Sequence, residues 1–173
     1  MKARFTFGLI LGFLITLPLH NDAHARPIPL LSYDDLFKQS DLVMILRPLS
    51  VRDAKKEDRA IPPKGQADTL VGVVTRFQVS YVVKGEYKQK NFELVHYRLN
   101  ELIPGGIVNG PTLASFVVDK RLINLPEREK PLLDKIGPHY MVFLKKQADG
   151  RFACLTGEFD AGLSVREIRG PLD

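Results

Sequence analysis

Cysteine is nearly absent from this chain: of 173 residues only Cys154 carries a thiol. One cysteine cannot form an internal disulfide, so stability has to come from a hydrophobic core. A composition that is 45% hydrophobic can supply one. Uninterrupted blocks of positive charge are also missing after residue 25, which argues against nucleic acid as a partner. No segment of 20 to 50 residues repeats, which excludes a solenoid or propeller. Helical and extended patterns do not alternate along the chain, and that excludes a doubly wound parallel sheet.

What the N-terminus does have is an export pattern. Lys2 and Arg4 precede an apolar run from Phe5 to Leu19, and Ala23-His24-Ala25 supplies the small-x-small site of a signal peptidase. The run is shorter than the ~20 residues that span a bilayer. Residues 1–25 are therefore expected to be a signal peptide, and residues 26–173 a single exported domain, periplasmic or secreted. No cysteine follows the apolar run to take a lipid, and no transmembrane segment is expected after cleavage. Cleavage removes Lys2, Arg4 and Asp22, leaving 23 basic and 19 acidic residues. A chain of the remaining length buries about two-thirds of its unfolded surface in one domain.

The segment "LLSYDDLFKQSDLVMIL" predicts a short helix over 33–39. Ser32 and Asp35 form a capping box, and Leu31 and Leu36 sit at the staple positions. Leu42 to Arg47 reads as a strand covered on both sides. Residues 54–69 are charged, contain Pro62, Pro63 and Gly65, and read as a solvated loop. A long strand then alternates from Val71 to Lys84, with Val73, Thr75, Phe77 and Val79 on one face. Fourteen residues span ~46 Å at ~3.3 Å each, so the strand must curve, with Gly72 the expected bend. Further strands are expected at 91–99, 113–119, in a hairpin over 139–157 turning at Asp149-Gly150, and at 162–168. Residues 100–112 read as a Gly/Pro loop and 120–138 as a connection with one helical turn at Leu132–Ile136. This pattern favours a mainly β fold: a small closed or half-closed barrel of the oligonucleotide/oligosaccharide-binding (OB) type, with a β-sandwich as the alternative.

Four stretches, "SDLVMILRPLSVRD", "TRFQVSYVVKGEY", "HYMVFLKKQADGRFACLTG" and "SVREI", resemble a loose group of exported bacterial proteins. That group is similar to the OB-type barrel of the tissue inhibitors of metalloproteinases and netrin-like domains. The resemblance spans residues 41–168 discontinuously, about half of the chain after residue 25, and rests on fold elements. It implies the barrel. In those inhibitors an N-terminal cysteine held by a disulfide chelates the protease zinc. Here the expected mature start is Arg26-Pro27, and that departure removes the inhibitory chemistry.

Other chemistries fail on residue types. His96, His139 and Cys154 lack close metal-ligand spacing, so neither metal nor cofactor is expected. Gly162-Leu163-Ser164-Val165-Arg166 breaks the nucleophile elbow at Arg166, and Ser164 reads as a strand residue. "IPGGIVNGP" has no Gly-Lys-Ser/Thr and leads into a strand, so it is a loop rather than a phosphate cradle. Cys154 lies among apolar neighbours and reads as an inert buried thiol. The stretch "KGEYKQKNFELVHYR" interleaves aromatic and cationic residues, and Tyr87, Lys88, Lys90, His96, Tyr97 and Arg98 are expected to form a ligand-binding face. The function expected is a non-enzymatic binding module for an envelope glycan, an anionic polymer or a protein partner. The alternatives are a small hydrolase whose His96, His139 or Cys154 converge only in space, and a structural envelope subunit.

Overall fold

A computed structural model describes residues 31–62, 64, 66–100, 111–118 and 138–168. It is mainly β, with one short helix, α1 (Tyr33–Gln39), and six strands: β1 (Leu42–Asp53), β2 (Leu70–Lys84), β3 (Asn91–Leu99), β4 (His139–Lys146), β5 (Phe152–Cys154) and β6 (Val165–Ile168). All lie in one antiparallel sheet of order β3-β2-β1-β4-β5. β6 shares the outer edge of β4 with β5, pairing at His139–Val142 while β5 pairs at Leu144–Lys146. No ladder joins β3 to β5 among the described residues, so the sheet is open rather than closed. Among the described residues there is one sheet, with no second sheet stacked on it.

Strand alternation divides the sheet into two faces. One carries Leu42, Met44 and Leu46 from β1, Phe77 from β2, Phe92 and Leu94 from β3, and Tyr140, Val142 and Leu144 from β4. The segment 112–118 crosses this face as a strap. Phe116 meets Phe77, His96 and Tyr140 edge-on, at centroid distances of 4.9, 5.1 and 5.0 Å. Each such buried side chain contributes about 1.5–3 kcal/mol. On the opposite face Leu36 of α1 packs on Val43 and Phe143. The helix is too short to stand alone and is fastened at both ends. The Ser32 hydroxyl accepts from Asp35 N, and Lys84 donates to the Phe37 and Lys38 carbonyls.

Several expectations change. β1 continues past Arg47 to Asp53 because its second half pairs with β2 alone, across register shifts that absorb Pro48. Gly72 is not the bend: its register is regular, and a Cβ there would meet the Ala60 Cβ at 2.6 Å. It leaves room for the 54–62 loop to lie down. That loop is solvated as expected, with Lys55, Lys56, Glu57, Arg59 and Ile61 exposed, and it is also pinned. Asp58 accepts from both Arg52 terminal nitrogens (2.6 and 2.9 Å) and from Lys55 N, and Tyr97 Oη donates to Ile61 O at 2.7 Å.

The strand expected at 113–119 has the right burial alternation over its described part, with Ala114 and Phe116 in and Ser115 and Val117 out, but it forms no ladder. Its backbone bonds go to Asp160 Oδ1, Tyr140 Oη and Gly162 N, because it runs across the sheet instead of along an edge. Ser164 closes a 3₁₀ turn, Ala161–Ser164, and is not a strand residue. Its hydroxyl accepts from Thr156 N, which tightens the turn. The expected signal peptide at 1–25, the loop over 101–110 and the helical turn at 132–136 lie outside the described residues. Among the described residues no helix is long and apolar enough to cross a membrane.

Candidate functional site

β2 and β3 pair without a shift from Leu70/Leu99 to Gln78/Asn91, which sets Arg76 opposite Glu93 on one face and Phe77 opposite Phe92 on the other. The chain then turns through residues 85–90, where Gly85 adopts φ +82°. Tyr87 folds back from this turn. Its hydroxyl donates to Asn91 O at 2.9 Å, and its ring meets Phe92 edge-on at 5.7 Å. From the other side comes the β4–β5 hairpin, closed by Gln147 N to Arg151 O (2.7 Å) and by Gly150 at φ +85°.

Where the β3 edge faces this hairpin there is a cleft of about 610 Å³. Gln89, Asn91 and Gln147 supply amides, Tyr87, Phe92 and Phe152 rings, Arg76 and Arg151 cations, and Glu93 and Glu158 carboxylates. A further hollow of about 400 Å³ continues past Glu93, Val95 and Arg151 toward Asp58 and Arg59. The 54–62 loop and the hairpin turn meet there. Arg59 pairs with Asp149 at 3.4 Å, and Arg151 reaches both Asp149 (2.7 Å) and Asp58 O (3.4 Å).

Charges in the cleft balance. Hydrogen bonds from Arg151 hold the Asp149 carboxyl below its usual range, so this hairpin anion persists in mild acid. Burial raises the half-buried Glu158 carboxyl, against the opposing pull of Arg151. Burial also raises the Tyr87 phenol, which stays a neutral donor and acceptor.

The six residues expected to form one face are divided by strand alternation. Tyr87 lines the cleft. Lys88 and Lys90 are exposed in the turn beside it and do not line it. His96 lies on the strap face, 3% exposed, with Nε2 2.8 Å from Thr75 Oγ1. Tyr97 faces the other way, beneath the 54–62 loop. Arg98 reaches Asp53 at 3.1 Å. The correction has a simple cause: consecutive residues 96 and 97 cannot share a face of a regular strand. Missing from the expected set were Arg76, Gln89, Asn91, Glu93, Arg151 and Glu158, which line the cleft.

The three residues of the hydrolase alternative do not gather either. Cys154 is opposite Leu144 within the strap-face core, and burial pushes its thiol up to about 12, far from a thiolate nucleophile. Burial also lowers His96 to about 4. His139 is buried and adjacent to Tyr140, so it points away from the face that holds His96. Among the described residues no three His, Cys, Asp or Glu side chains converge on a common point suited to a metal ion. No family model, curated protein or solved structure matches the chain.

Proposed function

We propose that the protein is an exported, non-enzymatic binding module of OB type, and that the cleft between β3 and the β4–β5 hairpin takes an uncharged or mixed-charge glycan. The export reading rests on the Lys2/Arg4, apolar run and Ala23-His24-Ala25 sequence. The fold reading is supported by the order β3-β2-β1-β4-β5, in which the β3 and β5 edges are the two that a barrel would join. OB barrels bind oligosaccharides and oligonucleotides on the strand 2–3 face, between the loops after strands 1 and 4. Here Arg59 of the first loop and Asp149 and Arg151 of the second flank Val74, Glu93 and Val95 of that face.

The observation that carries the ligand class is the lining of the larger cleft. Three amides, the half-buried rings of Tyr87 and Phe152 and two Arg–Glu complements offer paired donors and acceptors beside flat apolar surfaces. That is what a sugar ring presents in return: equatorial hydroxyls at its edge and C–H groups on its face. A polyanion needs a track of uncompensated cations. With Glu93 and Glu158 in the cleft and Lys88 and Lys90 outside it, the anionic polymer is the weaker choice. A glycan array carrying neutral, amino and sulfated oligosaccharides tests this. Saturable binding to neutral or amino sugars, weakly dependent on salt, is the expected result. Binding confined to sulfated chains and steeply weakened by salt would replace the glycan reading with the polymer one.

A further inference from the structure

At the opposite end of β3 lies a second cleft, of about 430 Å³, which shares no residue with the polar one. Its floor is the strap face of β2–β3, with Val73, Thr75 and His96, and its roof is the strap itself, Leu113 to Phe116. The volume falls at the small end of the ~300–1,000 Å³ typical of small-molecule sites. Its rim is apolar and wet: Val51 is 46% and Leu99 43% exposed. Such side chains gathered at the mouth of a cavity suit an apolar occupant.

The polar groups are few and placed at one side. Arg98 stands at the mouth with its side chain 40% exposed, and its N–H groups touch Asp53 at 3.1 and 3.4 Å and Leu99 O at 3.3 Å. A guanidinium has five N–H donors in a planar fork suited to a carboxylate, so it can take a second anion or exchange Asp53, itself 65% exposed, for one. Deeper, His96 spends Nε2 on Thr75, while its Nδ1 is buried with no hydrogen-bond partner among the described residues. An unpaired buried imidazole nitrogen is costly, and this one belongs to a residue of the cleft lining.

We propose that this cleft binds a small amphipathic acid, a medium-chain carboxylate whose alkyl chain lies along Val51, Leu99 and Leu113 at the mouth and whose head group is held by Arg98. The site is independent of the glycan cleft and does not rest on that reading. The full exported domain is titrated by calorimetry with decanoate and with decanol, both below their aggregation concentrations. One-to-one binding of decanoate is expected, with decanol at least tenfold weaker. Arg98→Gln should abolish that preference, since only the head-group contact is removed. Val51→Glu should weaken decanoate at least tenfold by placing a carboxylate at the mouth, without touching the core. Unchanged melting of both variants in the absence of ligand establishes that they fold. Absence of saturable binding, equal affinity for acid and alcohol, or indifference to both substitutions would overturn the proposal.

Discussion

The strap face and the β3–hairpin cleft are built from the same two strands, β2 and β3, yet they serve different ends. On the strap face Phe77, Phe92 and Leu94 interlock with Phe116 and leave almost no surface to solvent. One residue away, Arg76 and Glu93 point into an open cleft lined by amides and charges. Alternation therefore puts the packed core and the proposed glycan cleft on opposite faces of the same strands. A substitution on an even or odd position should disturb one and spare the other.

That separation can be broken most forcefully at Phe77. Phe77→Ala removes the ring that meets both Phe92 and Phe116, and about 3–5 kcal/mol should be lost in denaturant titration. His96 comes next, through pH. Its folded pKa near 4 lies below its ordinary 6.5 because of burial. The unfolded chain then takes up a proton that the folded chain refuses, so stability falls as pH drops from about 6.5 to about 4. The loss across that window should approach 3 kcal/mol. The double variant Thr75→Val/His96→Leu removes both partners and should flatten this part of the profile. An equally steep profile in the variant would assign the acid sensitivity elsewhere.

Smaller effects sharpen the same contrast. Gly85→Ala should cost about 2 kcal/mol, since its φ of +82° strains other residues and the new Cβ would stand 2.5 Å from Asp41 O. Cys154→Ala should cost about 1 kcal/mol by thermal melting and leave ligand binding intact, because the thiol fills space in the strap-face core. A loss of binding in the folded variant would restore the cysteine to the site. Asn91→Ala, at the cleft, should change stability by less than about 0.5 kcal/mol.

The legible parts of the sequence were those with local causes. Ser32, Asp35 and Leu36 announced α1 because capping and stapling act within one turn. The period-two pattern from Val71 announced β2, and Asp149-Gly150 announced the hairpin turn. The strap was half legible: Ala114 and Phe116 alternate as a strand does, but whether such a segment pairs or crosses is decided by its tertiary partners. The cleft was least legible. Tyr87 was found because it belongs to a stretch in which aromatic and cationic residues interleave. Arg151 and Glu158 join Asn91 only when β5 swings opposite β3, a long-range juxtaposition that no local pattern encodes. His96 and Tyr97 do not share a face for the converse reason, since neighbours in sequence sit on opposite faces of a strand.

The most direct test is calorimetric titration with the best oligosaccharide from the array, run on the wild type and on Arg76→Ala/Asn91→Ala, with a denaturant melt of each. The wild type should bind saturably, the variant at least tenfold more weakly, and the two unfolding midpoints should nearly coincide. Undiminished affinity in the folded variant, or no glycan bound by the wild type, would contradict the glycan reading.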